Sequence, residues 1–96
     1  MIVSIKGKTT KDVFDGLSSN ASRKVPIELI DRATNLLDAL NAISDIKDLK
    51  SPPSNRLHKL KGGYKGYWSL SINDQWRIIF KWDGSNASDV EITDYH

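Results

Sequence analysis

A chain of 96 residues with no cysteine and only two histidines supports one domain, residues 1–96, with a modest core; it offers too few thiolates and imidazoles for a disulfide framework or a structural metal site, and no cofactor is expected. The net charge of +2 is unevenly spread. Over residues 47–65, Lys47, Lys50, Arg56, Lys59, Lys61 and Lys65 meet a single acid, Asp48, whereas Asp83, Asp89, Glu91 and Asp94 after Trp82 meet no base.

Met1–Lys6 alternates weakly and predicts a first strand. It lacks the long apolar run of a signal peptide, and no window is long enough to cross a membrane, so a soluble cytoplasmic protein with no membrane partner is expected. Lys11–Leu17 predicts a short helix, and residues 18–22 a loop. Pro26 suits the first turn of a second, longer helix, whose Ile30, Ala33, Leu37, Leu40 and Ile43 recur at helical spacing. Glu28, Arg32, Asn35 and Asn41 fall mostly away from that stripe. Ser51–Asn55, with two prolines, predicts a stiff extended connection that cannot be helix.

Two strands are then expected on either side of a tight Asn73-Asp74 turn. Trp68, Leu70 and Ile72 share one face of the first, and Trp76, Ile78, Phe80 and Trp82 one face of the second. A further turn at Asp83–Asn86 leads into an acidic strand from Ser88. The expected fold is therefore α+β: an N-terminal strand and two helices packed on a mainly antiparallel sheet that ends in a three-strand meander. The three tryptophans belong to packing, and the opposite sheet face, carrying Ser69, Ser71, Arg77 and Lys81, is the expected working surface.

An arginine in mid-sheet is either a solvated charge or an anion clamp, since its planar fork matches phosphate. Lys59 and Lys61 bracket Leu60 and would share a face if that piece is extended; they read either as surface lysines or as contacts to RNA phosphates, with Arg56 and Lys65 beside them. Tyr64 and Tyr67 lie close by in sequence and either stack on bases or, for Tyr67 at least, pack at a strand end. The chain has no nucleophile elbow, no phosphate-binding glycine loop and no His-x-x-x-His. What remains is a set of acid, base and cation: Asp94, Tyr95, His96, His58, Arg77, Lys59 and Lys61. Such a set can catalyse attack of a ribose 2′-OH on the neighbouring phosphodiester, a reaction that RNA permits and DNA does not.

The runs Leu49–Leu57, Leu60-Lys61-Gly62, Tyr67–Ile78 and Val90–His96, above all Asn73-Asp74-Gln75-Trp76-Arg77 and the terminal Asp94-Tyr95-His96, resemble the HigB toxins, the plasmid-maintenance killer branch of the RelE/ParE superfamily. The resemblance spans essentially the whole chain. It implies the small RelE-like fold and ribosome-dependent, metal-free cleavage of mRNA, with the 70S ribosome and mRNA as partners. It also implies a HigA-type helix-turn-helix antitoxin, and contact with operator DNA only through the toxin–antitoxin complex. By position it carries over catalytic roles to Arg77, Asp94, Tyr95, His96 and His58, and an RNA-binding role to Lys61; some relatives have glutamate at the place of His58 and proline at that of Lys59. On this basis His96 or Asp94 takes the 2′-OH proton, His58 or Tyr95 serves the leaving oxygen or positions the substrate, and Arg77 and Lys61 stabilise the phosphorane. Two other readings stand beside it: a non-catalytic inhibitor that occupies the ribosome, and a gyrase poison of the ParE kind. The terminal triplet together with Arg77 argues against the first, and the Asp-Tyr-His ending with two histidines beside a basic loop argues against the second.

Overall fold

The long apolar stripe folds as helix α2, Ile27–Ala42, with Ala33, Leu36, Leu37 and Leu40 buried at the i, i+3, i+4, i+7 spacing of one helical face. Leu36 joins the predicted stripe at its centre, while Ile30 and Ile43 are half-buried at its flanks. Pro26 stands just ahead of the first helical residue, and its carbonyl accepts the Leu29 N–H at 2.9 Å. The computed structural model describes residues 1–94.

The short helix, α1, spans Lys8–Phe14 and so begins three residues before its predicted start at Lys11. Its end is set by Gly16 at φ 74. There the Gly16 N–H reaches Val13 O at 3.2 Å and the Leu17 N–H reaches Asp12 O at 2.8 Å, the paired bonds of a left-handed glycine stop. The following loop is held by the buried Asp12 carboxylate, which accepts from Ser19 Oγ at 2.6 Å and pairs with Lys8 Nζ at 3.0 Å. These two partners, the Ser19 hydroxyl first, hold the Asp12 carboxyl below the ordinary range.

The sheet runs in the order β1 (His58–Lys59), β2 (Tyr67–Ser71), β3 (Trp76–Trp82), β4 (Ala87–Asp94), with every pair antiparallel. The expected hairpin and meander are present. The Asn73 side chain accepts the N–H groups of Gln75 and Trp76, which closes the β2–β3 turn. The N-terminal run lies beside β4 but makes only two isolated parallel bridges, Ile2↔Ala87 and Ile5↔Val90, rather than a continuous strand. The ladder stops there because the chain turns into α1, and Thr10 Oγ1 of that helix takes the next outer-edge amide of β4, Ile92 N–H, at 2.8 Å. Ser51–Asn55 also departs from expectation, since Pro53–Asn55 forms one turn of 3-10 helix. Buried Asn55 closes it by donating from Nδ2 to Leu49 O and Ser51 O.

One core fills the space between the helices and the sheet, with Leu70, Ile72, Ile78, Phe80, Val90 and Ile92 facing Val13, Val25, Ala33, Leu37 and Leu40. Trp68, Trp76 and Trp82 pack half-buried at its margin, as the alternation predicts. Arg32 does not simply face solvent. From α2 its Nε donates to Ile72 O at 2.7 Å, and its Nη2 to Ser71 O at 3.1 Å and Ser54 O at 3.3 Å. One guanidinium thus joins the helix, the end of β2 and the 3-10 turn. Among the described residues no helix is long and apolar enough to cross a membrane.

Candidate active site

The sheet face away from the helices is built by register. Ser71, Arg77 and Thr93 are cross-strand partners in one row; His58, Ser69, Ile79 and Glu91 form the next; Tyr67 pairs with Lys81 beyond. Cross-strand partners point the same way, so these residues share one surface. The face is not uniformly polar: Ile79 is 2 % exposed and Ser69 1 %. Ile79 is buried yet lies outside the main core.

At the Arg77 end of this face a groove of about 190 Å³ is lined by Arg56, His58, Ser69, Ser71, Asn73, Asp74, Trp76 and Arg77. Arg56 holds a left-handed backbone (φ 47), an uncommon conformation for a side-chain-bearing residue, and turns its carbonyl to His58 Nδ1 at 2.7 Å. A carbonyl only accepts, so Nδ1 carries the proton of that bond, and Nε2 is the lone-pair nitrogen of the neutral ring. The Arg56 guanidinium meets Asp74 across the groove mouth at 3.5 Å, an exposed pair that fixes little by itself. The groove therefore joins an imidazole of set tautomer to two guanidinium groups, a base or acid beside anion clamps.

The other predicted basic residues are placed elsewhere. His58 and Lys59 are consecutive in β1 and point to opposite faces. Lys59, Lys61 and Lys65 line a second groove of about 580 Å³ with Trp68 and Trp82, on the far side of the edge strand. Lys59 Nζ lies 5.1 Å from the centroid of the Trp68 ring. Lys59 and Lys61 do share a groove, as expected, but it is not the groove of Arg77. Asp94 is the register partner of Trp76 and so shares its side of the sheet, opposite to that of Arg77; its carboxylate accepts from Gln75 Nε2 at 3.3 Å. The predicted site residues Tyr95 and His96 lie outside the described residues. Among the described residues no three His, Asp or Glu side chains gather closely enough to ligate a metal ion.

Sequence reasoning gave Asn73 no place in the groove, which it lines, and passed over Arg32, which bonds the backbone at Ser71 and Ser54. The Asn-Asp pair did signal a turn. Nothing in the sequence linked Arg32 to carbonyls some 40 residues away.

An α+β domain with helices on one sheet face and a cationic groove on the other defines the class of RelE-like toxins. The fold agrees: the structure matches that of the YoeB dimer from Staphylococcus aureus with a TM-score of 0.62 at 17 % identity, covering 100 % of this chain and 97 % of that one. YafQ from E. coli strain BL21(DE3) matches with a TM-score of 0.57 at 20 % identity, covering 95 % and 89 %. Within that class the chain belongs to the HigB-like toxin family, the RelE-like toxin of the type II toxin–antitoxin system HigB, whose model matches residues 6–96. Endoribonuclease HigB of Proteus vulgaris is 35 % identical over 97 residues, the whole of both chains. Toxin HigB-1 of Vibrio cholerae serotype O1 is 30 % identical over 82 residues, covering 85 % of this chain and 84 % of the relative.

Proposed function

We propose that this toxin is an endoribonuclease that cuts mRNA on the translating ribosome. The observation that carries the reading is the groove in which His58, its tautomer set by the Arg56 carbonyl, lies with Arg56 and Arg77. Full-length similarity to a protein named an endoribonuclease supports the same activity.

In this reaction the 2′-oxygen attacks phosphorus while the bond to the 5′-oxygen breaks. The products are a 2′,3′-cyclic phosphate and a free 5′-hydroxyl. One group removes the 2′-OH proton and another protonates the departing oxygen. His58 Nε2 exchanges the proton at one end, and the terminal Tyr95 or His96 supplies the group at the other, since Asp94 shares the opposite side of the sheet with Trp76. Arg77, supported by Arg56, stabilises the charge that develops on the phosphoryl oxygens. Lys59, Lys61 and Lys65 hold polyanion along the second groove, away from the reacting phosphate. The ribosome presents the mRNA in line for attack, which the small open groove does not do by itself.

An antitoxin is the resting partner. Solved relatives of the fold occur as complexes, DinJ–YafQ from E. coli and YoeB–YefM from Staphylococcus aureus. For this chain the partner is a HigA-type helix-turn-helix protein, and operator DNA is reached through it. The reaction takes place in the cytoplasm, where the ribosomes are.

The test is to induce the wild type, Arg77→Gln and His58→Gln in growing bacteria and to map new mRNA 5′ ends, with translation running and with initiation blocked. Cuts inside translated frames that disappear in both variants, and when initiation is blocked, are expected. Growth arrest with intact mRNA would refute the reading: a non-cleaving ribosome blocker would leave DNA untouched, and a gyrase poison would raise a DNA-damage response.

A further inference from the structure

One aromatic group on the groove face has no part in the reaction above. Tyr64 is 47 % exposed and ends the 3-10 turn Gly62–Tyr64, between Gly62 (φ 67) and Gly66 (φ 94). The Tyr64 ring centroid lies 6.0 Å from the Arg77 guanidinium carbon. Tyr67 meets Tyr64 edge to face, with centroids 5.9 Å apart and planes at 88°, and Lys81 Nζ lies 5.2 Å from the Tyr67 ring. The result is a file of Arg77, Tyr64, Tyr67 and Lys81, with a cation at each end and two rings between. Arg77 and Lys81 are four residues apart on one strand face, a span of about 13 Å.

We propose that Tyr64 is a stacking platform for a base of single-stranded RNA, the base next to the phosphate that Arg77 holds. The inference rests on the ribonuclease reading of this groove and adds a substrate-positioning residue to it. A carboxylate-bearing peptide would use the cations but has no use for a paired aromatic surface. A nucleotide presents an anion and a flat π-face a short distance apart, which is the pairing offered here. The edge-on contact with Tyr67 fixes the Tyr64 ring before any substrate arrives, so little ordering remains for binding. Every base has a π-face, so the platform sets the position of the strand more than its sequence.

The experiment uses a fluorescent 2′-O-methyl RNA hexanucleotide, which cannot be cleaved by 2′-oxygen attack, and an abasic 2′-O-methyl strand of equal length. Anisotropy titrations are run on the wild type, Tyr64→Phe and Tyr64→Leu, each shown to be folded by circular dichroism. The wild type and Tyr64→Phe should bind the base-bearing strand about tenfold more tightly than the abasic one, and Tyr64→Leu should lose that difference. Equal affinity of wild type and Tyr64→Leu for the base-bearing strand would overturn the proposal. So would no base-dependent binding by the wild type, or an equal loss by Tyr64→Leu on both strands; the last would point to a peptide-like or purely ionic ligand. Because the probe cannot be cut, this readout is separate from the mRNA-end mapping. If mRNA stays intact in cells while base-dependent binding persists, the nuclease reading fails and the platform stands; the reverse pattern removes the platform alone.

Discussion

Arg32 is the residue whose loss should reveal how the groove is held. Replacing it with methionine keeps the aliphatic stem and removes the guanidinium. Two partly buried, charge-assisted bonds disappear, to Ile72 O and Ser71 O, together with a more exposed one to Ser54 O. Bonds from a charged donor contribute about 1.5–3 kcal/mol each. Arg32 is half-exposed, so the lower figure applies to the two partly buried bonds and almost nothing to the third, which gives about 3 kcal/mol in all. For a domain of this size that shift corresponds to a melting temperature lower by about 12–24 °C. Urea unfolding measures it directly, with the slope against denaturant expected to stay constant while the midpoint falls. Arg32→Lys should recover less than half of the loss, because one ammonium cannot serve three carbonyls in a fork. Ser54 lies two residues before Arg56, and Ser71 two before Asn73, so the change should also slacken both walls of the groove and raise the RNA concentration needed for half-maximal cleavage. A stability change below about 0.5 kcal/mol would show that water replaces the guanidinium, and full recovery by lysine would show that a point charge suffices and the fork is not needed; either result would refute the clamp.

Leu37→Ala, at a position with no exposed surface, should lower unfolding free energy by about 2–5 kcal/mol in urea titrations, whereas Ile27→Ala at an 88 % exposed position should stay within about 0.5 kcal/mol. Gly16→Ala must hold φ 74 with a side chain and should cost about 1 kcal/mol in the same assay, although no neighbouring atom lies within 4 Å of the added carbon. The Asp12 carboxyl is held low chiefly by Ser19, and that of Asp83 chiefly by the Asn86 amide; both therefore contribute stability above the unfolded carboxylate value near pH 4, and that contribution is lost as pH falls below it through the folded values. Asp12→Asn should accordingly be less stable at neutral pH and show a shallower loss between about pH 4 and pH 2 in pH-dependent melting. Lys59→Gln should weaken RNA binding and lower its salt slope by about one while bound RNA is cut at the wild-type rate, and His58→Gln should do the opposite.

The fold was largely legible because its main elements carry strong periodicity. The α2 stripe repeats at helical spacing from Ile30 to Ile43, and β2 and β3 alternate cleanly around a turn whose asparagine bonds its own backbone. Boundaries failed where local geometry depends on a remote partner. α1 ends short of Leu17 because Gly16 stops it, and the N-terminal run lost its ladder to a threonine in a helix not yet placed. Pro52-Pro53 argued for extended chain, but Asn55 bonds back to Leu49 and Ser51 and closes a turn.

The site was legible in its residue types more than in its partition. Arg77 was found by parity alone, since Trp76 and Ile78 must point inward. A strand of two residues is too short for its alternation to be recognised in the sequence, so the division of His58 from Lys59, and of one basic run into two grooves on opposite faces, was not read there. That division has a chemical consequence. A lysine beside the scissile phosphate would compete with Arg77 for the same oxygens and bind the ground state as well as the transition state. On the proposed reaction, lysines moved across the edge strand would lend affinity to the flanking strand and leave the groove to the rigid guanidinium fork and one imidazole of set tautomer. That reading assigns uniform binding and transition-state stabilisation to different faces of one four-stranded sheet, and it is why substitutions in the two grooves should separate affinity from rate.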